Sequence, residues 1–143
     1  GLATFLEYYT ADYLDRTRSL KDRLAVVQQW LRETATRRPD LRTTPLRDYG
    51  RAQMTDFSYS MGMILFAVMH DLLGADGFRR VIRECHLRHG EHGGTLDDFV
   101  RTAEDVAPQD LRRFFEDWIY TTKWVDALST AGSVEALAAR YKH

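Results

Sequence analysis

The chain has little cysteine and no long uninterrupted apolar run. Its 143 residues contain one cysteine, Cys85, which excludes an internal disulfide framework. The longest apolar run, from Met61 to Met69, is much shorter than the roughly 20 residues that a membrane-spanning helix needs. We therefore expect this segment to make no membrane contact.

The sequence also lacks a block of charge of one sign. Twenty basic and 21 acidic residues give a net charge of −1, and the two signs are interspersed along the chain. Nucleic-acid and anionic-membrane surfaces require concentrated positive charge, so neither partner is expected. The 44% hydrophobic content suffices for one core, because domains near this size bury roughly two-thirds of their unfolded surface. Residues 1–143 are predicted to form a single helical domain.

Strand-like alternation is missing as well, since no period-two pattern continues over five residues. Helical spacing takes its place. Leu111, Phe114, Phe115 and Trp118 recur at the intervals that place them on one helix face, and Pro108 is expected to begin that helix. The fold class predicted is all α, an irregular bundle of about six to seven helices.

Several residues mark where the other predicted helices begin and end. Ser19 is a candidate N-cap, and Thr95 with Asp98 forms a second capping signal. Gly74 is suited to a left-handed helix end, whereas Pro39 and Pro45 mark a loop through about position 50. The helix between Asp56 or Ser58 and Gly74 is apolar on nearly all sides, so we expect the other helices to surround it.

Helical periodicity is already established at the first residue. Leu2, Phe5, Leu6, Tyr9 and Tyr13 share one face, although neither a capping residue nor an initiator methionine precedes them. We expect the chain to begin inside a helix and to be part of a longer protein.

One short segment could bind a metal. Cys85, His86, His89 and His92 lie within eight positions, but no clear fourth ligand lies elsewhere in a spacing typical of zinc sites. The alternative is a polar helix end where imidazoles contact the last carbonyls. No two histidines are four residues apart, so the His-Glu-x-x-His zinc helix is missing from this chain. No serine or cysteine stands in a recognisable nucleophile motif.

Three stretches together resemble a known family in their order and spacing. They are "GLATFLEYY", "YSMGMILFAVMHDLLGADGFRRVIREC" and "GTLDDFVRTAEDVAPQDLRRFFEDWIY". This order is similar to the helical second half of the catalytic domain in aminopeptidase N-like zinc metallopeptidases, the gluzincins. The features concerned are a Tyr-x-x-Gly helix start at Tyr59 to Gly62, the turn at Leu73-Gly74, an amphipathic helix from Phe78 to Leu87, a helix start from Thr95 to Phe99, and Phe-Phe-x-x-Trp from Phe114 to Trp118.

The resemblance covers roughly residues 1 to 125 and carries functional implications. It implies the helical lobe of a thermolysin-like catalytic domain, a peptide substrate and zinc in the parent protein. The family's third zinc ligand is a glutamate that would stand immediately before Gly1, so this segment alone is expected to hold no catalytic zinc and to be inactive. The missing N-terminal part of the same domain is the implied partner.

Within the family a tyrosine hydroxyl donates to the oxyanion that develops on the substrate, and Tyr59 matches that residue by position. The simpler alternative is a tyrosine whose ring packs in the core. The common family pattern is Tyr-Glu-Lys-Gly, whereas this chain has Ser60 and Met61 between Tyr59 and Gly62. That departure leaves open a second function, a non-catalytic helical scaffold or pseudo-peptidase interaction module.

Overall fold

The computed structural model describes residues 1–15, 19–49 and 56–142, and every regular element in these ranges is helical. The predicted all-α bundle is therefore confirmed. Two 3-10 turns, Pro39–Arg42 and Leu46–Asp48, and a π-helical turn, Glu116–Tyr120, accompany the α-helices. The seven α-helices of the described ranges are α1 (Leu2–Asp15), α2 (Leu20–Arg37), α3 (Asp56–His89), α4 (Leu96–Val106), α5 (Arg112–Phe115), α6 (Trp124–Thr130) and α7 (Val134–Ala139).

Helix α3 lies at the centre of the bundle, because its first half is apolar on nearly every side. Met61, Ile64, Val68 and Met69 are fully buried there. Helices α1, α2, α4 and α7 pack around it. The apolar stripe of α2, which includes Leu31, joins the same core. The prediction that the central helix is surrounded by the others agrees with this packing.

Among the described helices, α3 alone is long and apolar enough to cross a membrane by length and composition. However, 56% of its most apolar window is buried inside the bundle, and the helix changes direction at Gly74. Both features are typical of a core helix.

Gly74 divides α3 into a first segment, residues 56–73, and a second segment, residues 75–89. Its φ of 67° and ψ of 170° lie in a region of backbone space that is essentially restricted to glycine. Beyond this kink the chain folds back, so that the Phe78 ring lies 5.3 Å from the His70 ring and 6.4 Å from the Phe66 ring. The prediction that Gly74 adopts a left-handed conformation is correct, and the chain resumes helical structure directly after it.

Polar side chains of α2 attach the C-terminal helices to the bundle. The Gln28 amide donates to the Ala131 carbonyl at 2.8 Å, and the Arg32 Nε donates to the Leu128 carbonyl at 2.6 Å. A second Arg32 nitrogen also donates to the Ala131 carbonyl. These carbonyls lie at the C-terminal end of α6, where unpaired acceptors and the helix dipole favour donors and positive charge.

The N-termini of α2 and α4 agree with the sequence-based predictions, whereas that of α5 differs. Ser19 caps α2, and Thr95 with Asp98 forms a reciprocal capping box on α4. Pro108, however, does not begin a helix. The next helix starts at Arg112, with Leu111 at its N-cap position, and the Arg112 backbone N–H donates to the Asp110 carboxylate at 2.9 Å. Helix α6 was not predicted at all, and position 50, the expected loop end, lies outside the described residues.

Replacing Gly74 should destabilise the fold through the backbone alone. A methyl group there would meet no atom within 4 Å, so Gly74→Ala should cost about 1–3 kcal/mol, solely from forcing a side chain into a glycine-only conformation. Gly132 is the matched control, because it also faces open space and does not have a positive φ. Urea unfolding should show a large loss for Gly74→Ala and a small change for Gly132→Ala. Equal effects would contradict the importance of the kink.

Candidate functional site

Tyr59 lies on the first turns of α3 and points away from the core. It is 59% exposed, and its hydroxyl makes no hydrogen bond to any other residue that the structure describes. Its neighbours Phe57 and Met61, in contrast, are buried. The alternative of a core-packing tyrosine therefore does not describe this side chain, whose phenol is available to a molecule outside the bundle.

One helical turn after Tyr59, the backbone of α3 touches the start of α1. A methyl group built on Gly62 would lie 2.7 Å from the Cα of Gly1, and one built on Gly1 would lie 3.0 Å from the Cα of Gly62. Such close approach is possible because neither residue has a side chain. The pair brings the first residue of the chain next to the helix that carries Tyr59.

The two helices run in the same direction from this contact. Farther along both of them, the rings of Phe5 and Tyr9 lie 5.9 and 5.0 Å from the ring of His70. Tyr59 precedes Gly62 by three residues, roughly 4.5 Å along the helix axis. The first residue of the chain therefore lies beside the turn of α3 that follows Tyr59.

A second group of polar side chains joins three separate elements. The Tyr120 hydroxyl, in the π-helical turn, donates to the Asp97 carboxylate at 2.8 Å, and the Arg47 guanidinium lies 3.8 Å from Asp97 and 5.0 Å from the Tyr120 ring centroid. Burial, and then the hydrogen bond to Asp97, raise the pKa of Tyr120 to about 12. The phenol is thus a neutral donor, and the arrangement serves as a structural tie. Neither sequence spacing nor a motif links these three residues, so the sequence did not indicate the contact.

The four candidate metal ligands near the end of α3 are not brought together. The His89 imidazole is 3.1 Å from the Thr102 hydroxyl, and burial raises the pKa of the Cys85 thiol. His92 is exposed, and its imidazole lies 4.0 Å from the Glu91 carboxylate. Within residues 1–15, 19–49 and 56–142, no group of three or more His, Cys, Asp or Glu side chains could hold a metal ion. The segment instead joins α3 to α4, with help from the Arg88 to Asp105 ion pair at 2.7 Å.

An apolar groove of about 440 Å³ lies between α1 and the second segment of α3. We call it the α1/α3 groove. His70 forms part of its lining, and the buried Nε2 atom of this residue has no hydrogen-bond partner among the described residues. Its ring packs instead against Phe5, Tyr9 and Phe78. Helical periodicity assigned His70 only to an apolar helix, so the sequence did not indicate the groove.

Adding a methyl group at Gly62 should separate α1 from α3. Because the methyl would lie 2.7 Å from backbone rather than from a flexible side chain, Gly62→Ala should lower the free energy of unfolding by about 1–3 kcal/mol. Gly77→Ala is a graded control, since its methyl would lie 3.1 Å from the Leu73 Cβ and should cost less. Urea unfolding measures both, and an unaffected Gly62→Ala variant would show that the helices do not approach this closely.

His70 should make the fold sensitive to acid. Burial lowers the pKa of His70 from its ordinary value of 6.5, with Asp71 opposing the shift. The unfolded chain therefore binds the proton first, and stability falls as the pH drops below about 6.5. His70→Phe removes both this proton and the unpaired nitrogen, so its melting temperature should change less than the wild type's between about pH 7 and pH 5.

The control for this measurement is His92→Gln, which changes an exposed histidine and should keep the wild-type pH dependence. If His70→Phe and wild type lose stability in parallel on acidification, the neutral state of His70 does not contribute to the stability of the fold.

Comparison of the chain with known proteins found no matching family model, no matching curated protein and no matching solved structure.

Proposed function

We propose that this chain is the C-terminal helical part of a zinc-dependent metallopeptidase, aminopeptidase-like and acting on peptides, whose zinc ligands belong to a preceding part of the same domain. The helices follow one another in the order that the resemblance implies, with a buried helix headed by Tyr59, a turn at Gly74, a capped helix from Thr95 and the aromatic segment ending at Trp118. That order supports the proposal without specifying the chemistry.

The contact between Gly1 and Gly62 is the observation that carries the proposal. In the family, a glutamate ligand would stand immediately before Gly1. Because α1 and the first segment of α3 run in the same direction, a residue at that place would lie at about the level of Tyr59. A catalytic phenol and a metal ligand have to be neighbours to act on one substrate, and this geometry is compatible with that need.

In this proposal Tyr59 donates a hydrogen bond to the oxyanion that forms as the scissile carbonyl is attacked. A phenol is neutral at pH 7 and can donate without first gaining a proton. The α3 helix fixes its position, since Phe57 and Met61 on either side are buried. The described residues offer no group that fits a zinc ion, so we derive no step through the metal from this chain.

Met61 supports the alternative of a non-catalytic scaffold or pseudo-peptidase. It is fully buried, and it occupies the place where the family commonly has a lysine. The charged pair of the family pattern is therefore replaced here by Ser60 and a core methionine. A protein that keeps the fold without the chemistry would tolerate such a change.

The two functions predict different sequences upstream of Gly1 in the parent gene. The enzyme requires a glutamate codon immediately before Gly1 and a His-Glu-x-x-His motif about twenty residues earlier. The scaffold requires neither. Reading that part of the gene decides between them, and a parent that lacks both motifs would overturn the peptidase proposal.

A tyrosine variant tests the mechanism in the full-length parent protein. Tyr59→Phe should lower kcat on a peptide substrate by about a hundredfold or more, because one oxyanion donor is removed. Zinc content, melting temperature and KM should change little. Tyr13→Phe provides the control, since Tyr13 is exposed on α1 far from Gly62 and should leave turnover intact. Unchanged kcat in Tyr59→Phe would remove Tyr59 from the mechanism.

A further inference from the structure

The α1/α3 groove has the size and lining of a small-ligand site. Its volume of about 440 Å³ lies within the range typical of such sites, which are mostly apolar with a few polar groups. Phe5, Leu6 and Tyr9 form one wall and Phe78 and Ile82 the other. The α1 wall runs from Phe5 to Tyr9, which is roughly 6 Å along the helix axis. A partner helix would need longer contact on both sides, so the groove favours a compact molecule.

The side chains of this groove that can carry charge near neutral pH are basic. They include Arg79, Arg83 and His86, and no carboxylate of the described residues lines the groove. Arg79 is paired with Asp76 at 3.2 Å, whereas Arg83 forms no ion pair with the described part of the chain. Because Arg83 and His86 follow Ala75 by about two to three turns, the groove is apolar at one end and cationic at the other.

His70 is a second indication that the groove is incomplete by itself. A buried polar atom without a hydrogen-bond partner is rare in folded proteins and calls for an explanation. The Nε2 atom of His70 is such an atom within the described residues, and His70 lines both this groove and a neighbouring cavity of about 360 Å³. The His70 ring packs against aromatic neighbours, so the unpaired Nε2 atom is a polar point within an otherwise apolar wall.

We propose that the α1/α3 groove binds an amphipathic monocarboxylate, with its apolar chain or ring against Phe5, Phe78 and Ile82 and its carboxylate at Arg83. Arginine is the side chain best suited to a carboxylate, because its planar guanidinium can donate two parallel hydrogen bonds. The apolar part of the ligand is removed from water by the aromatic wall. This site is separate from Tyr59 and does not depend on the proposed peptidase function.

Octanoate is a suitable probe, and octyltrimethylammonium has the same chain with the opposite charge. Titrating octanoate into the isotope-labelled 143-residue chain should give saturable NMR shifts at Phe5, Phe78 and Ile82, with a dissociation constant of about 1 mM or lower. The cationic analogue should bind at least about tenfold more weakly, because its head group meets Arg83.

Three variants test the geometry. Arg83→Gln should weaken octanoate binding about tenfold, whereas Arg80→Gln should leave it unchanged, since Arg80 is exposed on the same helix but does not line the groove. Ala75→Phe should block binding by filling the apolar end; Ala75 is exposed, and circular dichroism would verify that the variant folds.

Several results would overturn the proposal. These are equal binding of the two probes, shifts confined to residues outside the groove, no saturation, or equal losses from Arg83→Gln and Arg80→Gln. If Ala75→Phe changes the oligomeric state without affecting octanoate binding, the groove is instead a contact between copies of the chain.

Discussion

The fold depends on one backbone conformation, the kink at Gly74. Helix α3 has 34 residues and would extend about 51 Å if straight, well beyond the diameter of a domain of this size. The kink returns the second segment to the first, so that Phe78 contacts Phe66 and His70. Both segments of α3 then contact α4. Phe99 of α4 packs on Phe66 of the first segment, and Asp105 of α4 pairs with Arg88 of the second. The α1/α3 groove also exists only because the second segment returns.

Gly62 and Gly74 contribute to the fold for different physical reasons. At Gly74 the requirement is a backbone conformation that side chains disfavour, whereas at Gly62 it is space for a neighbouring backbone. The two requirements place α1 beside both segments of α3, so the surface that carries Tyr59 and the surface that forms the groove are built by the same pair of helices. Changes at either glycine should therefore be felt at both surfaces.

The sequence predicted the features that depend on helical periodicity and on helix caps. It indicated the all-α class, the central helix, the caps at Ser19 and Thr95 and the turn at Gly74, because each depends on residues close together in the chain. Helix α6 was missed, since Gln28 and Arg32 stabilise its C-terminal end from α2, far away in sequence. The predicted start at Pro108 was wrong, since the helix begins only at Arg112, whose backbone N–H donates to the Asp110 carboxylate.

The same division applies to the functional surfaces. Sequence spacing could identify Tyr59 as a candidate through a resemblance, but its exposure and the neighbouring contact between Gly1 and Gly62 became visible only in three dimensions. The tie between Arg47, Asp97 and Tyr120 joins elements that no local pattern relates. The spacing of Cys85, His86, His89 and His92, in contrast, raised the question of a metal site, but these residues form no metal-binding group in the described part of the chain.

The hydrogen bonds from α2 to the end of α6 have a consequence for how the protein forms in the cell. Gln28 and Ala131 are separated by 103 positions, and Arg32 and Leu128 by 96. During synthesis, α2 leaves the ribosome about a hundred residues before these acceptors, so the Gln28 amide and the Arg32 guanidinium lack these partners until α6 has been made. Contacts so distant in sequence slow folding, because a large loop must close before they contribute. We therefore expect α2 to take its final place in the bundle only after α6 has been made.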